Sequence, residues 1–162
     1  MVARATSWSL PAVGAASWCA VFAAVHLFWA VGGSTGLASA AGSEMVTDRP
    51  TVFVVFGLFG VAALLLAGIM LIMAAVGAIG PVRLSRVANA VVVVVGGSLV
   101  IRGLLLEVLL GTDTGGLRTS IGPLESAWSL ALWNPWFAIG GVLFLWTALR
   151  VRRMRRRAHS SG

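Results

Sequence analysis

The chain has very few charged residues. Only 10% of its 162 residues are Asp, Glu, Lys or Arg, whereas 59% are hydrophobic and the mean hydropathy is +0.97. Soluble domains carry roughly 25% charged residues. The scarcity therefore excludes an ordinary soluble domain and indicates an integral membrane protein. Lysine is absent, so all twelve basic residues are arginine.

Cysteine is also scarce, and the motifs of common enzyme classes are missing. The single cysteine, Cys19, excludes an internal disulfide and any multi-cysteine metal site. There is no Walker phosphate loop, dinucleotide fingerprint, H-E-x-x-H zinc motif or G-x-S-x-G nucleophile elbow. His26 is the only histidine in an apolar stretch, because His159 lies in the C-terminal tail. The sequence therefore predicts no metal, no haem held by two histidines and no other cofactor, and it favours a non-enzymatic role.

Four apolar stretches are each long enough for a helix to cross the hydrocarbon core, which needs about 20 residues. They cover residues 12–31, 51–79, 87–110 and 128–149. Each must be helical, because an unpaired backbone group in lipid costs several kcal/mol. Small residues at 96–98 and 140–141 predict close helix contacts. The sequence predicts an all-α, four-transmembrane-helix bundle that forms a single membrane domain over residues 1–162.

The arginines are distributed unevenly about these stretches. Nine of the twelve, among them Arg4, lie on one side, and most of these are in the tail at 150–162. Arg49 and Arg118 lie on the other side, together with four of the five acidic residues. Arginine favours the cytoplasmic side. We therefore expect the N-terminus and the C-terminus to be cytoplasmic and the two long loops to face outward.

The first apolar stretch has a second interpretation. Ala38-Ser39-Ala40 fits the cleavage site of a secretory signal peptide, and Arg4 would be its basic start. However, the stretch is long for a signal peptide, and it contains His26 and Trp29, which signal peptides rarely need. We therefore expect the first helix to be retained.

The segment 150–162 forms a basic tail with six arginines. Two interpretations are open. The tail could bind anionic lipids of the inner leaflet, worth about 1 kcal/mol per residue near the surface. It could instead serve only to fix the topology, which the sequence favours. Nucleic-acid binding is not expected, because no folded basic module accompanies the tail.

An arginine lies inside the third apolar stretch. Such a residue costs about 2.5 to 3.5 kcal/mol at a helix centre, so it usually faces the bundle interior and a partner. A rise of 1.5 Å per residue places Arg102 about 12 Å, and Glu107 about 4 Å, below the outer end of their helix. The same arithmetic places His26 about 7 Å and Asn134 about 9 Å deep. Together these four side chains predict an outward-facing polar chamber.

Each of these residues also has a simpler interpretation. Arg102 and Glu107 are about 140° apart on an ideal helix, so they do not form a standard pair. The long arginine side chain could still reach Glu107, or it could extend to the lipid headgroups. Glu107 could be an ordinary interfacial residue, and His26 a hydrogen-bonded packing residue. Asn134-Pro135 could begin a helix after an interfacial segment at 124–133, or it could lie within one longer, kinked helix.

Three strings in the chain resemble a known family. They are HLFWAVGG from His26 to Gly33, Arg102-Gly103, and WNPWFAIGGVLF from Trp133 to Phe144. They are similar to a largely actinobacterial family of small four-helix membrane proteins that is classed as a domain of unknown function. The resemblance covers nearly the whole chain and implies the four-helix fold. We expect the protein to lie in the bacterial cytoplasmic (inner) membrane. It implies no activity. Family members often carry aspartate where this chain has Asn134, so acid chemistry is not expected there.

The leading functional hypothesis is that the chamber binds a small amphiphile or a lipid headgroup. Arg102 would contact the anion, the polar residues would orient it, and tryptophans would wall the site. The expected site residues are His26, Trp29, Arg102, Glu107, Trp133, Asn134 and Trp136.

Two alternatives stay open. The first is an intramembrane isomerase or cyclase with Glu107 or His26 as general acid or base, against which the lack of paired carboxylates argues. The second is an accessory or structural subunit, in which Arg102 and Glu107 pair with a partner helix. The tryptophans could also be an interfacial belt. Expected partners are the lipid bilayer, a possible amphiphilic ligand, and either further copies of the chain or another membrane protein.

Overall fold

The computed structural model describes residues 8–160, so the predicted position of Arg4 lies outside the described residues. Within this range there is no strand, and four helices are long and apolar enough to cross a membrane. They are Leu10–Ala30 (span 1), Phe53–Ala75 (span 2), Val82–Gly111 (span 3) and Pro123–Arg157 (span 4). The helix of span 4 continues to Ser160. The prediction of an all-α chain with four such helices is confirmed.

The ends of the spans differ from the predicted ones. Span 2 ends at Ala75, because Gly77 and Gly80 adopt positive φ angles of 78° and 77° that a regular helix does not allow. Span 3 begins at Val82, directly after the extended Pro81. Span 4 is longer than predicted at both ends. Hydropathy marks only the apolar part of a helix, and the helix continues through polar turns beyond it.

Neighbouring spans run antiparallel. Along the contact between spans 1 and 4, Trp18 lies beside Trp136, and Trp29 lies beside Trp133. Both ends of the described chain therefore lie at one end of the bundle, together with the hairpin at 76–81; we call this the termini end. The opposite end, which we call the loop end, carries the connections at 31–52 and 112–122. Short helices at Leu37–Ala41, Ser43–Thr47 and Leu117–Ile121 lie in these connections.

Spans 3 and 4 approach each other through glycine. A Cβ atom built on Gly141 would lie 2.6 Å from the carbonyl oxygen of Gly96 and 2.7 Å from the backbone nitrogen of Val100. A Cβ on Gly103 would lie 2.7 Å from the carbonyl oxygen of Asn134. Real Cβ atoms essentially never come so close, so the two backbones pack at a distance that only glycine permits. Gly97, by contrast, has no neighbour within 4 Å of such an atom.

Polar contacts hold the termini end together. Ser85 Oγ donates a hydrogen bond to the carbonyl of Ala75 at 2.8 Å, and the Arg155 guanidinium donates to both groups. In the amide orientation that satisfies both of its ends, buried Asn89 donates to the carbonyl of Ala148 and accepts from Arg152 Nε. The bonds from Ser85 and Arg155 satisfy the carbonyl of Ala75, which has no donor within its own helix at the end of span 2. The bonds of Arg152 and Arg155 connect the start of the basic tail to the bundle.

A π-helical turn interrupts span 4 near the loop end. It covers Ser129–Trp133, and the backbone N–H of Asn134 donates to the carbonyl of Ser129, five residues back. Pro135 follows directly, and it has no N–H to donate to the carbonyl of Ala131. A π turn accommodates both the missing donor and the proline ring. The interpretation in which a new helix begins at Asn134-Pro135 is therefore wrong, and one longer helix passes through these residues. A second π-helical segment, Phe53–Phe59, begins span 2.

Candidate functional site

A cavity of about 720 Å³ lies among the four spans, towards the loop end. It is lined by residues from 18–29 in span 1, 61–71 in span 2, 95–106 in span 3 and 129–144 in span 4. Its extent along span 3 is about 16 Å, from the helical rise. The volume lies within the range of small-molecule sites, and the lining is mostly aliphatic and aromatic.

Exposed lining residues on spans 2 and 3 indicate that the cavity opens sideways between these spans. These spans are joined at the termini end by the bond between Ser85 and Ala75. Further up, each contributes an exposed lining residue: Leu64, with 72% of its surface accessible, and Arg102. Leu64 is eleven residues from either end of span 2, so it lies at mid-span. The opening therefore faces the region that lipid would occupy.

The Arg102 side chain lies across an aromatic ring at this opening. Its Cζ atom is 3.6 Å from the centroid of Phe137, which is cation–π geometry. Among residues 8–160, no carboxylate forms an ion pair with this guanidinium, and no oxygen accepts a hydrogen bond from it. Arg102 therefore does not pair with Glu107. Its donors remain available to a bound group in the cavity.

Glu107 interacts with span 4 instead. Asn134 Nδ2 donates to Glu107 Oε2 at 3.2 Å. Asn134 lines the cavity and is only 2% exposed, whereas Glu107 is not part of the lining. Glu107 thus acts through Asn134, because the bond fixes the amide and leaves Asn134 Oδ1 as an acceptor. No residue in the described part of the chain donates to that oxygen.

Aromatic side chains connect Arg102 to His26. We call them the aromatic wall, which consists of Phe22, Trp29, Trp133 and Phe137. Phe137 lies 5.6 Å from Phe22, and Phe22 lies 4.5 Å from His26, measured between ring centroids. His26 Nδ1 donates to the carbonyl of Phe22 at 2.9 Å. In a neutral imidazole, Nε2 is then the acceptor. No donor to Nε2 is found among residues 8–160.

Two tryptophans of the wall also hold the loop at 32–49 in place. Trp29 Nε1 donates to the carbonyl of Thr35 at 2.8 Å, and Trp133 Nε1 donates to the carbonyl of Ser39 at 3.0 Å. Both indoles line the cavity, and Trp29 is buried. They therefore pack within the bundle rather than forming a belt on its surface. Arg49, from the same loop, donates to the carbonyls of Trp29 and Gly33 at the end of span 1.

Trp136 does not line the cavity and packs against Trp18. Its ring stacks on Trp18 at 5.8 Å between centroids, and its carbonyl accepts from Trp18 Nε1 at 3.0 Å. The structure thus brings five of the seven expected residues to the cavity, connects Glu107 to it through Asn134, and places Trp136 outside its lining. The five are His26, Trp29, Arg102, Trp133 and Asn134.

Several lining residues were not identified from the sequence. They are Trp18, Cys19, Phe22, Ser129, Phe137 and Phe144, together with aliphatic residues of spans 2 and 3. The spacing of Trp18, Phe22, His26 and Trp29 follows one face of a helix, a pattern that could have revealed the wall. Phe137 follows Asn134 by three residues and lies on the same face, which was the available signal for the ring beneath Arg102.

The lining of the cavity is largely apolar and contains few polar groups. Among the described residues, no cluster of three or more His, Cys, Asp or Glu side chains could hold a metal ion. His26 lines the cavity without a carboxylate beside it, and Glu107 is bonded to Asn134 outside the lining. What the cavity offers is a positive charge, hydrogen-bond acceptors and a large apolar surface.

Comparison with known proteins gives a family. A family model described as protein of unknown function (DUF3995) matches residues 19–144, more than three quarters of the chain. The match includes every residue of the expected site. No curated protein and no solved structure matches the chain. The predicted resemblance to an uncharacterised domain family is confirmed, and the chain belongs to the family of unknown function DUF3995.

Proposed function

We propose that the protein binds an anionic amphiphile from the membrane, with its charged group at Arg102 and its apolar part in the cavity. The observation that carries the proposal is the guanidinium of Arg102, which lines an apolar cavity and has no anionic partner among residues 8–160. A charge removed from water is costly unless it is paired. The face of Phe137 supplies part of the stabilisation, and a bound anion would supply the rest.

The distribution of polarity in the cavity supports an amphiphile rather than a small inorganic anion. Its polar lining residues, His26, Arg102, Ser129 and Asn134, lie towards the loop end. The deeper lining, which includes Leu71, Val95 and Phe144, is apolar. A ligand with a charged head and a hydrocarbon tail matches this arrangement. The sideways opening between spans 2 and 3 gives such a molecule a path from the bilayer.

We further propose that both termini and the basic tail are cytoplasmic, in the cytoplasmic membrane of a bacterium. Arg83 and Arg86 follow the hairpin at the termini end, and the arginines of the tail lie at the same end. This distribution supports the orientation. The cavity would then open to the outer leaflet. Labelling of Ser43→Cys, but not of Ser160→Cys, by an impermeant maleimide on intact cells is the expected result in a Cys19→Ser background. The reverse pattern would contradict it.

Lipid retention tests the binding proposal. The full chain, Arg102→Leu and Arg83→Leu would each be purified in mild detergent, and retained anionic lipid would be quantified by mass spectrometry. Arg83 is an exposed arginine outside the cavity, so Arg83→Leu controls for the loss of one charge. Hydrogen bonds to charged groups contribute about 1.5 to 3 kcal/mol. We therefore expect Arg102→Leu to retain at least about tenfold less anionic lipid than wild type does. Arg83→Leu should retain as much as wild type. Equal retention by all three proteins would refute the proposal.

A further inference from the structure

Two acceptor atoms on buried side chains that line the cavity have no donor within the described part of the chain. They are His26 Nε2 and Asn134 Oδ1, on side chains that are 8% and 2% exposed. Each side chain is held by its other polar atom, His26 by the carbonyl of Phe22 and Asn134 by Glu107. Neither atom is fully enclosed by protein, so each is accessible from the cavity. The two atoms are thus preorganised to accept from a bound molecule.

These acceptors and the charge of Arg102 belong to the lining of the same cavity. Asn134 is one helical turn from Phe137, the ring beneath the guanidinium, which places it about 4.5 Å further towards the loop end. His26 reaches the same region from span 1 through its contact with Phe22, which itself contacts Phe137. An anionic group at Arg102 would therefore share the cavity with two acceptors that lie towards the loop end.

We infer that the ligand is a lipid whose anionic phosphodiester carries hydroxyl groups beyond the phosphate, as a glycerol or sugar headgroup does. The phosphate would accept from Arg102, and the hydroxyls would donate to His26 and Asn134. This inference rests on the proposed function and specifies its ligand. Ammonium headgroups fit less well, because no acidic side chain lines the cavity to balance their charge.

A pair of matched lipids tests the inference. Phosphatidylglycerol and phosphatidylethanol with identical acyl chains carry the same single charge, and they differ in that only phosphatidylglycerol has headgroup hydroxyls. Binding of each to the full chain in mild detergent would be measured by native mass spectrometry, with phosphatidylcholine as the neutral reference. One net hydrogen bond corresponds to about a twofold to twelvefold change in affinity. We expect wild type to prefer phosphatidylglycerol over phosphatidylethanol about threefold to tenfold.

Variants at His26 identify the source of this preference. His26→Phe keeps the ring and removes the acceptor, so it should reduce the preference at least twofold. His26→Gln supplies an amide oxygen and should retain more of the preference than His26→Phe does. Arg102→Leu should weaken both anionic lipids together.

The outcomes separate the two proposals. Equal binding of the two anionic lipids by wild type, with both weakened by Arg102→Leu, would overturn the hydroxyl inference and leave the proposed function standing. An unchanged preference in folded His26→Phe would also overturn the inference. If neither anionic lipid bound better than phosphatidylcholine, the proposed function itself would be wrong. The wild-type comparison needs no variant, so a folding defect in any variant does not leave the inference undecided.

Discussion

Replacing Gly141 with alanine should force spans 3 and 4 apart. The new Cβ would lie 2.6 Å from the carbonyl oxygen of Gly96 and 2.7 Å from the backbone nitrogen of Val100, whereas ordinary contact begins at 3.4 Å. Both neighbours are backbone atoms, so they cannot rotate away as a side chain would. The helices would have to separate by roughly 0.8 Å, the difference between 2.6 and 3.4 Å. Overpacking of this kind costs about 1 to 3 kcal/mol.

Gly97→Ala is the matched control for this change. Gly97 also lies in a long helix, but a Cβ there meets nothing within 4 Å. Both substitutions gain the helix-forming preference of alanine over glycine, about 0.5 to 1 kcal/mol. Because this gain is common to the two variants, their difference in unfolding free energy isolates the steric cost. Gly141→Ala should be less stable than Gly97→Ala by about 1 to 3 kcal/mol.

Unfolding of the full chain in mixed micelles, titrated with a denaturing detergent, would measure this difference. Tryptophan fluorescence can follow the transition, because Trp18 and Trp136 stack on each other near the contact. The substitution should also weaken lipid retention, since Phe137 lies one turn from Gly141 on span 4 and Arg102 reaches it from span 3. Equal or greater stability of Gly141→Ala than of Gly97→Ala would show that the two backbones are not in contact.

Three further substitutions test other parts of the structure. Gly68→Leu should abolish lipid retention, because Gly68 lines the cavity and its Cβ position is 3.2 Å from Cys19 Sγ. Gly97→Leu is the control and should retain lipid like wild type. Retained lipid in Gly68→Leu would contradict the assigned cavity. Ser85→Ala should lower the unfolding free energy by about 1 kcal/mol, because it removes the hydrogen bonds to Ala75 and Arg155. Ser98→Ala, at an exposed serine, is the control. Equal stability of the two variants would count against this polar contact. Asn89→Leu should lower the unfolding free energy by about 1 to 3 kcal/mol, because the Ala148 carbonyl loses its donor and Arg152 Nε loses its acceptor. An unchanged midpoint in the same titration would refute these hydrogen bonds.

The sequence predicted how deep each polar side chain lies in the bundle better than it predicted which way the side chain points. Hydropathy located four spans, because a lipid-crossing segment must be long, apolar and helical. Counting residues from the helix ends placed His26, Arg102 and Asn134 near the same end, and all three line the cavity. Counting residues along a helix does not give the rotation of the helix about its own axis. The partner of Arg102 is therefore Phe137, a residue that was not singled out, and the partner of Glu107 is Asn134.

The π turn at Ser129–Trp133 interrupts the regular helical periodicity of span 4. One extra residue per turn rotates everything before it by about 100° relative to a regular helix. A periodicity of 3.6 residues carried through this turn therefore assigns side chains to the wrong face. Trp133, the last residue of the π turn, lines the cavity, while Trp136 packs against Trp18. Pro135 marked an irregularity in the sequence, but a proline alone does not say whether the helix breaks, kinks or widens.

The sideways opening between spans 2 and 3 changes which concentration governs occupancy. A ligand that arrives through it competes with the surrounding lipids, so its mole fraction in the leaflet matters rather than its amount in water. A preference of about 1.4 kcal/mol over bulk lipid is tenfold. At that preference, a lipid that forms roughly one tenth of the leaflet would fill about half of the sites. Modest contacts at Arg102 would therefore be enough for the cavity to follow the composition of the membrane around it.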